Sequence, residues 1–403
     1  MAIAKKKQVS GWLLKAAILL IAMQEVGGGA TTPALGTIQA ANPDVSVTAI
    51  QSISTLPSLM IIVFGIVYAL LVKTMRRRSI LYLAVALYLV GGIIPAFLND
   101  IYIILIFRGI LGCGCGLLYP MANDLVVDFF DGDERKKLIG WVFAVGMLGT
   151  IFFQMVGGAL AVVNWHYTFY AYAISIAFFA VPLIFLPEPP RKLDIVKGTA
   201  DEEKVKVYPR QYGLSTLNLL WCMCFTTIIS NGAIIVVSEG MGDAASAGVI
   251  FSIMTGVAFV FSLFFAKINK FLRACSLLFC YLASAAGLLI FYSSHTIGMV
   301  VVAMVVIGAG LGYTGANFYN KSTDINPFAA SAMALGLMTA FNGFGMFISP
   351  YAMNALTAGV GLSLGRPVLL VAAIITIILG AIAFFFDRAT PKVPESERPE
   401  EAL

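Results

Sequence analysis

The sequence predicts an all-α membrane protein in which twelve transmembrane helices form two pseudo-symmetric six-helix bundles. Three observations lead to this prediction: an apolar composition, twelve apolar runs of membrane-spanning length, and an internal repeat. Of the 403 residues, 60% are hydrophobic and only 12% are charged, a balance far from that of soluble domains. The composition therefore excludes an ordinary soluble protein.

Twelve apolar runs follow one another along the chain, and each is long enough to cross about 30 Å of hydrocarbon as a helix. Because the bilayer core offers no water to the backbone, such runs must be helical, and they are too long and uniform for barrel strands. The runs cover residues 12–39, 49–72, 80–98, 101–123, 139–163, 167–187, 214–237, 246–266, 274–293, 297–319, 332–357 and 367–387.

The middle of the chain matches its end at a constant offset of 196 residues (308 minus 112). The aligned pairs are Gly112 with Gly308, Gly114 with Gly310, Gly116 with Gly312, Asp128 with Asp324, and Gly140 with Gly336. Such a period indicates two parallel halves. We expect an N-terminal bundle over residues 1–187, a cytoplasmic linker over 188–213, a C-terminal bundle over 214–388 and a cytoplasmic tail over 389–403.

Basic residues mark one end of the predicted bundle. All of the 26 lysines and arginines except Arg108 and Arg366 fall in segments that share one side of the membrane with the N-terminus. Because translocation disfavours basic loops, both termini are expected to be cytoplasmic, in a bacterial-type cytoplasmic (inner) membrane. The net charge of +5 then reflects topology, and no nucleic-acid partner is predicted.

Two charged residues, Glu25 and Arg108, lie deep within the predicted spans, where an ionisable group is costly and usually functional. Glu25 lies about 21 Å along the first span and Arg108 about 9 Å into the fourth from the other side, so the two reach comparable depth. They could form a proton-coupling pair, with Asp124 as a candidate second proton site nearer the cytoplasm. The alternatives are a structural ion pair and an Arg108 that extends to the interface.

Uncharged polar and aromatic residues in the spans are candidates for substrate binding, although intramembrane amides also join helices. This set suits an amphipathic organic molecule better than an inorganic ion. It comprises Gln24, Gln51, Tyr119, Gln154, Trp221, Asn231, Tyr313, Asn317, Asn342 and Tyr351. No metal site and no cofactor are predicted, and no nucleophile–base pair or phosphate loop indicates an enzyme.

Several segments resemble the major facilitator superfamily over nearly the whole chain. RGILGCGCG, from Arg108 to Gly116, is similar to that family's R-x-x-x-G-x-G-x-G element, whose arginine is implicated in proton coupling. The family's segment that closes the same span resembles DFFDGDERKKLIG here. Its entry to the sixth span is similar to NWHYTF, and its eleventh span is similar to GMFISP. The resemblance implies a major facilitator fold with a cavity lined by the first, fourth, seventh and tenth spans, including Glu25, Arg108, Asn231 and Asn317.

The resemblance also indicates candidate gating residues, and this sequence differs from the family pattern at two places. The candidates are Lys73, Arg77, Asp128, Arg135 and Asp324. Lys73 occupies the position of the family's loop aspartate, so the usual latch through that carboxylate is not expected. The antiporter signature of the fifth span is degenerate, surviving as Phe153, Gln154, Gly157 and Gly158.

These patterns predict a secondary active transporter that moves a small organic, amphipathic solute by alternating access, through proton-coupled efflux. One alternative is an organic-anion transporter in which Arg108 binds a substrate carboxylate or phosphate. Another is a lipid-transporting or sensor protein on the same scaffold. The expected partners are the solute, protons and membrane lipids, and the protein is expected to be a monomer.

Overall fold

The computed structural model describes residues 11–24, 27–188, 207–272, 275–327 and 330–389, which are mostly helical. Glu25, the centre of the predicted linker and the tail beyond residue 389 lie outside the described residues. The α-helices are α1 Gly11–Ala22, α2 Leu35–Ala41, α3 Val47–Thr74, α4 Arg77–Ile93, α5 Ile101–Phe129, α6 Gly132–Val163, α7 Ala171–Phe185, α8 Pro209–Ser238, α9 Ala244–Leu263, α10 Phe265–Leu272, α11 Ser276–Ser293, α12 Ile297–Asp324, α13 Ser331–Gly359 and α14 Arg366–Ala389.

Eleven helices among the described residues are long and apolar enough to cross a membrane, and they correspond to the second through twelfth predicted runs. The prediction of one continuous helix over 12–39 is wrong. There, α1 ends at Ala22, two 3-10 segments cover Gly27–Ala30 and Thr32–Ala34, and α2 follows. Pro33 lacks an N–H group and consecutive glycines are poor helix formers, so this sequence interrupts the first span.

The two ends of the molecule differ, and we call the end at which α1 begins the basic end. Several helices extend beyond the predicted apolar runs at this end, as in α5 to Phe129 and α12 to Asp324, because polar residues continue a helix after it leaves hydrocarbon. At the opposite end, Ser46, Asp100 and Thr296 accept hydrogen bonds from backbone N–H groups of the helices they precede. These N-caps fix where α3, α5 and α12 begin.

Arg366 is the one basic loop residue predicted at the opposite end. It forms an ion pair with Glu239 at the end of α8 and donates a 2.7 Å hydrogen bond to the carbonyl oxygen of Tyr292 near the end of α11. Carbonyl groups at the end of a helix lack partners within the helix, and a cation there is favourable. Arg366 therefore joins the ends of three C-terminal helices.

The repeated glycines pack the helices of each half in the same way. In the triplet Gly112–Gly116 the outer glycines lie against α3 and the middle one against α4; a Cβ at Gly112 would lie 2.7 Å from the Cα of Pro57. In the triplet Gly308–Gly312 the outer glycines lie against α9 and the middle one against α11. The internal repeat thus extends from sequence to helix packing, as expected for small residues at membrane helix contacts.

The two halves meet at the opposite end, where α3 contacts α13, α6 contacts α9 and α2 contacts α8. The contact is close: a Cβ at Gly36 of α2 would lie 2.4 Å from the carbonyl oxygen of Ala233 in α8. At the basic end a cleft of about 770 Å³ lies between the N-terminal helices and Leu335 of α13. The structure is closed at one end and carries a cleft at the other.

Candidate functional site

A buried cluster of uncharged polar side chains joins the halves at the opposite end. Gln51 of α3 donates to the Oδ1 atom of Asn231 in α8 at 2.8 Å. Asn354 of α13 donates to Gln51 Oε1 at 2.7 Å and to Thr48 Oγ1 at 2.9 Å. One N-terminal helix is thus hydrogen-bonded to two C-terminal helices.

The same contact includes hydroxyl groups. The Ser52 hydroxyl lies 2.9 Å from the Tyr351 hydroxyl, again between α3 and α13. Asn231 is anchored on its own helix, since its Nδ2 atom donates to the Thr227 carbonyl oxygen at 3.1 Å. We call the six residues of this contact the polar seam: Thr48, Gln51, Ser52, Asn231, Tyr351 and Asn354.

A second contact between the halves involves Gln154 of α6. Its Oε1 atom accepts a 3.3 Å hydrogen bond from the Thr255 hydroxyl of α9. Beside it, Gly158 lets the backbones approach closely, because a Cβ there would lie 2.5 Å from the Ala244 carbonyl oxygen. The degenerate signature segment of the fifth span therefore lies at the contact between the halves.

At the basic end, charged residues border the cleft. Arg77 forms ion pairs with Asp124 and Asp128 of α5, and its side chain is only 9% exposed. The Tyr68 hydroxyl donates to Asp124 at 3.0 Å, and the backbone N–H of Arg77 donates to Glu188 at 2.7 Å. This cluster joins α3, α4, α5 and the segment after α7, all within the N-terminal half.

The other gating candidates lie outside this ion-pair cluster. Lys73 is exposed near the end of α3. Arg135 donates to the Phe130 carbonyl oxygen at 2.8 Å and forms an ion pair with Asp131, so it caps the end of α5. Asp324 is half-buried at the last residue of α12. A gating role for these residues stays a prediction.

Arg108 is fully buried inside the N-terminal half. Its guanidinium carbon lies 4.9 Å from the ring centroid of Tyr172 and 5.5 Å from that of Phe169, a cation–π geometry. Among the described residues, its three guanidinium nitrogens have no hydrogen-bond acceptor. The structure therefore places Arg108 away from lipid, against aromatic rings of the sixth span.

Gln24 lies in the same interior. Its Oε1 atom accepts hydrogen bonds from the Ser175 hydroxyl at 2.7 Å and the Tyr88 hydroxyl at 3.1 Å. The Tyr88 ring in turn packs edge-to-face against Tyr172, with centroids 5.8 Å apart. Gln24 is thus connected through Tyr88 to the Tyr172 ring that contacts Arg108.

Three candidates from the C-terminal half contact their own half. Trp221 donates to the Ser284 hydroxyl at 3.0 Å, Tyr313 donates to Asn269 at 2.8 Å, and Asn317 lies 3.4 Å from the Cys280 sulfur. Tyr119 is partly exposed on α5, and Asn342 is half-buried on α13. Substrate binding by these five residues stays a prediction.

Sequence reasoning missed Thr48, Ser52 and Asn354 of the polar seam, and Tyr68 and Glu188 of the ion-pair cluster at the basic end. Small polar residues are a weak signal, because many bond only to their own helix: the buried Thr357 donates to the Met353 carbonyl oxygen one turn earlier. The position of Asn354 beside Gln51 comes from the packing of α3 on α13.

Comparisons with known proteins agree with this architecture. The family model for the Major Facilitator Superfamily matches residues 16–272 and again 216–403. A bacterial homolog of the human lysosomal transporter Spinster, in an inward-facing and unoccupied conformation, superposes with a TM-score of 0.77 at 17% identity, covering 95% of this chain and 98% of that one. A D-xylose–proton symporter gives 0.70 at 17% identity, over 96% and 98% of the two chains.

Curated relatives match shorter segments. MFS transporter L2 of Phoma sp. (strain ATCC 20986 / MF5453) is 31% identical over 27% of this chain and 18% of its own length. Multidrug resistance protein 3 of Bacillus subtilis (strain 168) is 29% identical over 28% of this chain and 21% of its own length. The matched segments thus span about a fifth of these relatives.

The family match covers most of the chain, and the packed halves reproduce the fold expected from the repeat. The predicted fold is confirmed. The family and the fold of this chain are those of transporters rather than enzymes. The chain is a multi-pass integral membrane protein that belongs to the Major Facilitator Superfamily.

Proposed function

We propose that this protein is a secondary active transporter, acting as a monomer, that exports a small amphipathic organic solute by proton-coupled alternating access. The observation that carries the proposal is the unequal state of the two ends. The polar seam closes the halves at the opposite end, while the basic end carries a cleft of about 770 Å³. Rocking of the two halves would open the opposite end and close the basic end, and so expose a site between the halves to each side of the membrane in turn.

The basic end faces the cytoplasm in this proposal, so the structure corresponds to an inward-facing state. The positive-inside tendency supports this orientation, since only Arg108 and Arg366 depart from it. Arg366 can lie at the opposite end because its charge is neutralised by the ion pair with Glu239 and its N–H groups bond to carbonyl oxygens at a helix end. The membrane would be a bacterial-type cytoplasmic membrane.

The solute class follows from the groups between the halves. Gln51, Asn231, Tyr351 and Gln154 offer uncharged hydrogen-bonding groups in an apolar setting, which favours an amphipathic organic molecule over an inorganic ion. The name of the Bacillus subtilis relative, Multidrug resistance protein 3, supports the same class.

Proton coupling is assigned to Glu25 and Arg108. Glu25 follows Gln24 directly in the sequence, and Gln24 is linked through Tyr88 and Tyr172 to the environment of Arg108. A buried guanidinium is stable in a membrane protein when a carboxylate neutralises it. In this proposal Glu25 supplies the carboxylate that balances the Arg108 charge, so its protonation would remove that balance and link proton binding to rearrangement of the N-terminal half.

The test is transport in proteoliposomes with an imposed pH gradient and a fluorescent amphipathic dye as the probe. Wild-type protein should move the dye only with the gradient, whereas Glu25→Gln should lose the dependence on the gradient. The matched control is Asp44→Asn, which neutralises an exposed loop carboxylate and should behave as wild type. Transport by Glu25→Gln with unchanged pH dependence would remove Glu25 from the mechanism.

A second candidate is organic-anion transport with Arg108 as the substrate-binding group. The observation that favours it is the guanidinium without an acceptor among the described residues. A planar guanidinium binds carboxylate or phosphate through two parallel bonds, which lysine cannot reproduce. Affinity for organic anions should therefore fall in Arg108→Lys, and affinity that survives this change would exclude the candidate.

A further inference from the structure

A second cleft lies at the basic end, between α1 and α6, apart from the cleft between the halves. Its volume is about 470 Å³. It combines charged groups with leucine and tryptophan side chains. The lining residues are Lys15, Leu19, Glu134, Lys137, Leu138 and Trp141.

The charges in this cleft sum to one positive charge. Lys15 forms an ion pair with Glu134. Lys137 is exposed, and it has no ion-pair partner among the described residues. One lysine is therefore available to an external anion, while the only carboxylate that lines the cleft is already paired.

The cleft opens toward the surrounding membrane. Lys137, Trp141, Leu148 and Met155 lie within about 40° of one another around α6, at 100° per residue. The last three are 61%, 52% and 49% exposed, and exposed apolar side chains on a membrane span face lipid. Other faces of α6 are covered, since Gly149 packs against the residues after α1 and Gln154 and Gly158 face α9.

We propose that this cleft binds an anionic phospholipid from the leaflet at the basic end. The phosphate lies at Lys137 and Lys15, and an acyl chain follows Trp141, Leu148 and Met155. Basic pockets between transmembrane helices bind anionic headgroups, and tryptophan is favoured at the depth of the headgroups. A zwitterionic lipid fits less well, because Glu134 is held by Lys15 and offers no free carboxylate to an ammonium group.

The net charge of the cleft supports a phosphodiester in particular. Two lysines and one glutamate leave a single positive charge, which balances the single negative charge of phosphatidylglycerol. The proposal does not depend on the transported solute or on Glu25, so its test is separate from the test of the proposed function.

The test is native mass spectrometry of the full-length protein in detergent with added phosphatidylglycerol or phosphatidylcholine. Wild-type protein should retain phosphatidylglycerol preferentially, and Lys137→Gln should reduce its retention by about fivefold, as expected for one lysine near a lipid headgroup. Lys136→Gln is the matched control, because it removes the same charge from a residue turned about 100° around the helix. Glu134→Gln removes the competing carboxylate and should leave retention at or above the wild-type level.

The proposal is overturned if the two lipids are retained equally, if Lys136→Gln and Lys137→Gln have the same effect, or if Glu134→Gln lowers retention. Melting temperatures of the variants in lipid-free detergent check that the fold is intact. Because Lys136, Lys137 and Glu134 are exposed, their substitution should leave these temperatures unchanged.

Discussion

Removal of the Asn354 side chain should shift the equilibrium between the closed and the open form of the opposite end. In Asn354→Ala the two hydrogen bonds from Nδ2, to Gln51 at 2.7 Å and Thr48 at 2.9 Å, are lost. An amide nitrogen carries two hydrogens, so both are used in this state. The bonds join α3 to α13 and would be broken when the halves separate at the opposite end.

The magnitude follows from the two bonds. A buried hydrogen bond contributes about 1 kcal/mol net, and bonds between membrane helices average about 0.6 kcal/mol. Loss of both should therefore destabilise the closed opposite end by about 1–2 kcal/mol, which raises the population of the open form about 5- to 30-fold.

Hydrogen–deuterium exchange mass spectrometry of the full-length protein measures this shift. Peptides from the first turns of α3 and the last turns of α13 should exchange faster in Asn354→Ala. Thr357→Ala is the matched control, since Thr357 is buried three residues later on α13 and, among the described residues, its hydroxyl bonds only to the Met353 carbonyl oxygen of its own helix. Equal exchange in Asn354→Ala and wild type, or an equal increase in Thr357→Ala, would refute the reasoning.

Three further predictions concern stability. Arg77→Ala removes the ion pairs that Arg77 forms with Asp124 and with the buried Asp128 carboxylate, and it should cost about 3 kcal/mol, seen as a lower melting temperature; unchanged melting would show that these pairs do not stabilise the fold. Gly112→Ala places a methyl group 2.7 Å from the α3 backbone and should cost about 1–3 kcal/mol, whereas Gly109→Ala on the same helix meets nothing within 4 Å and should be neutral in the same assay. Hydrogen bonds from Ser246 lower the pKa of Asp243, so its contribution to stability is present above the ordinary value of 3.8 and is lost as pH falls through the folded-state pKa; melting curves over that acidic range should show this loss in wild type and not in Asp243→Asn.

The transmembrane helices could be predicted from the sequence because span length and hydrophobicity are local properties. The break in the first span was missed because an average over 28 apolar residues hides a short segment of glycines and Pro33. The longer helices at the basic end were missed for a related reason: the charged last turns of α5 and α12 are helical but not apolar.

The candidate site was only partly predictable. Gln51 and Asn231 stand out as amides in apolar runs, and the structure joins them although they are 180 residues apart. The pairing of Gln51 with Asn354 depends on how α3 and α13 pack, which one sequence does not specify. Trp221 and Asn317 are equally conspicuous in the sequence, yet they contact Ser284 and Cys280 within their own half.

The chemical make-up of the polar seam has a consequence for how the transporter responds to its surroundings. Amides and the hydroxyls of serine and threonine carry no charge at any physiological acidity, and their mutual attraction is little affected by dissolved salt. The stability of the closed opposite end would therefore stay constant while the acidity and salt content of the adjacent medium change. Any response to acidity on that side of the membrane would have to originate in ionisable groups elsewhere in the chain.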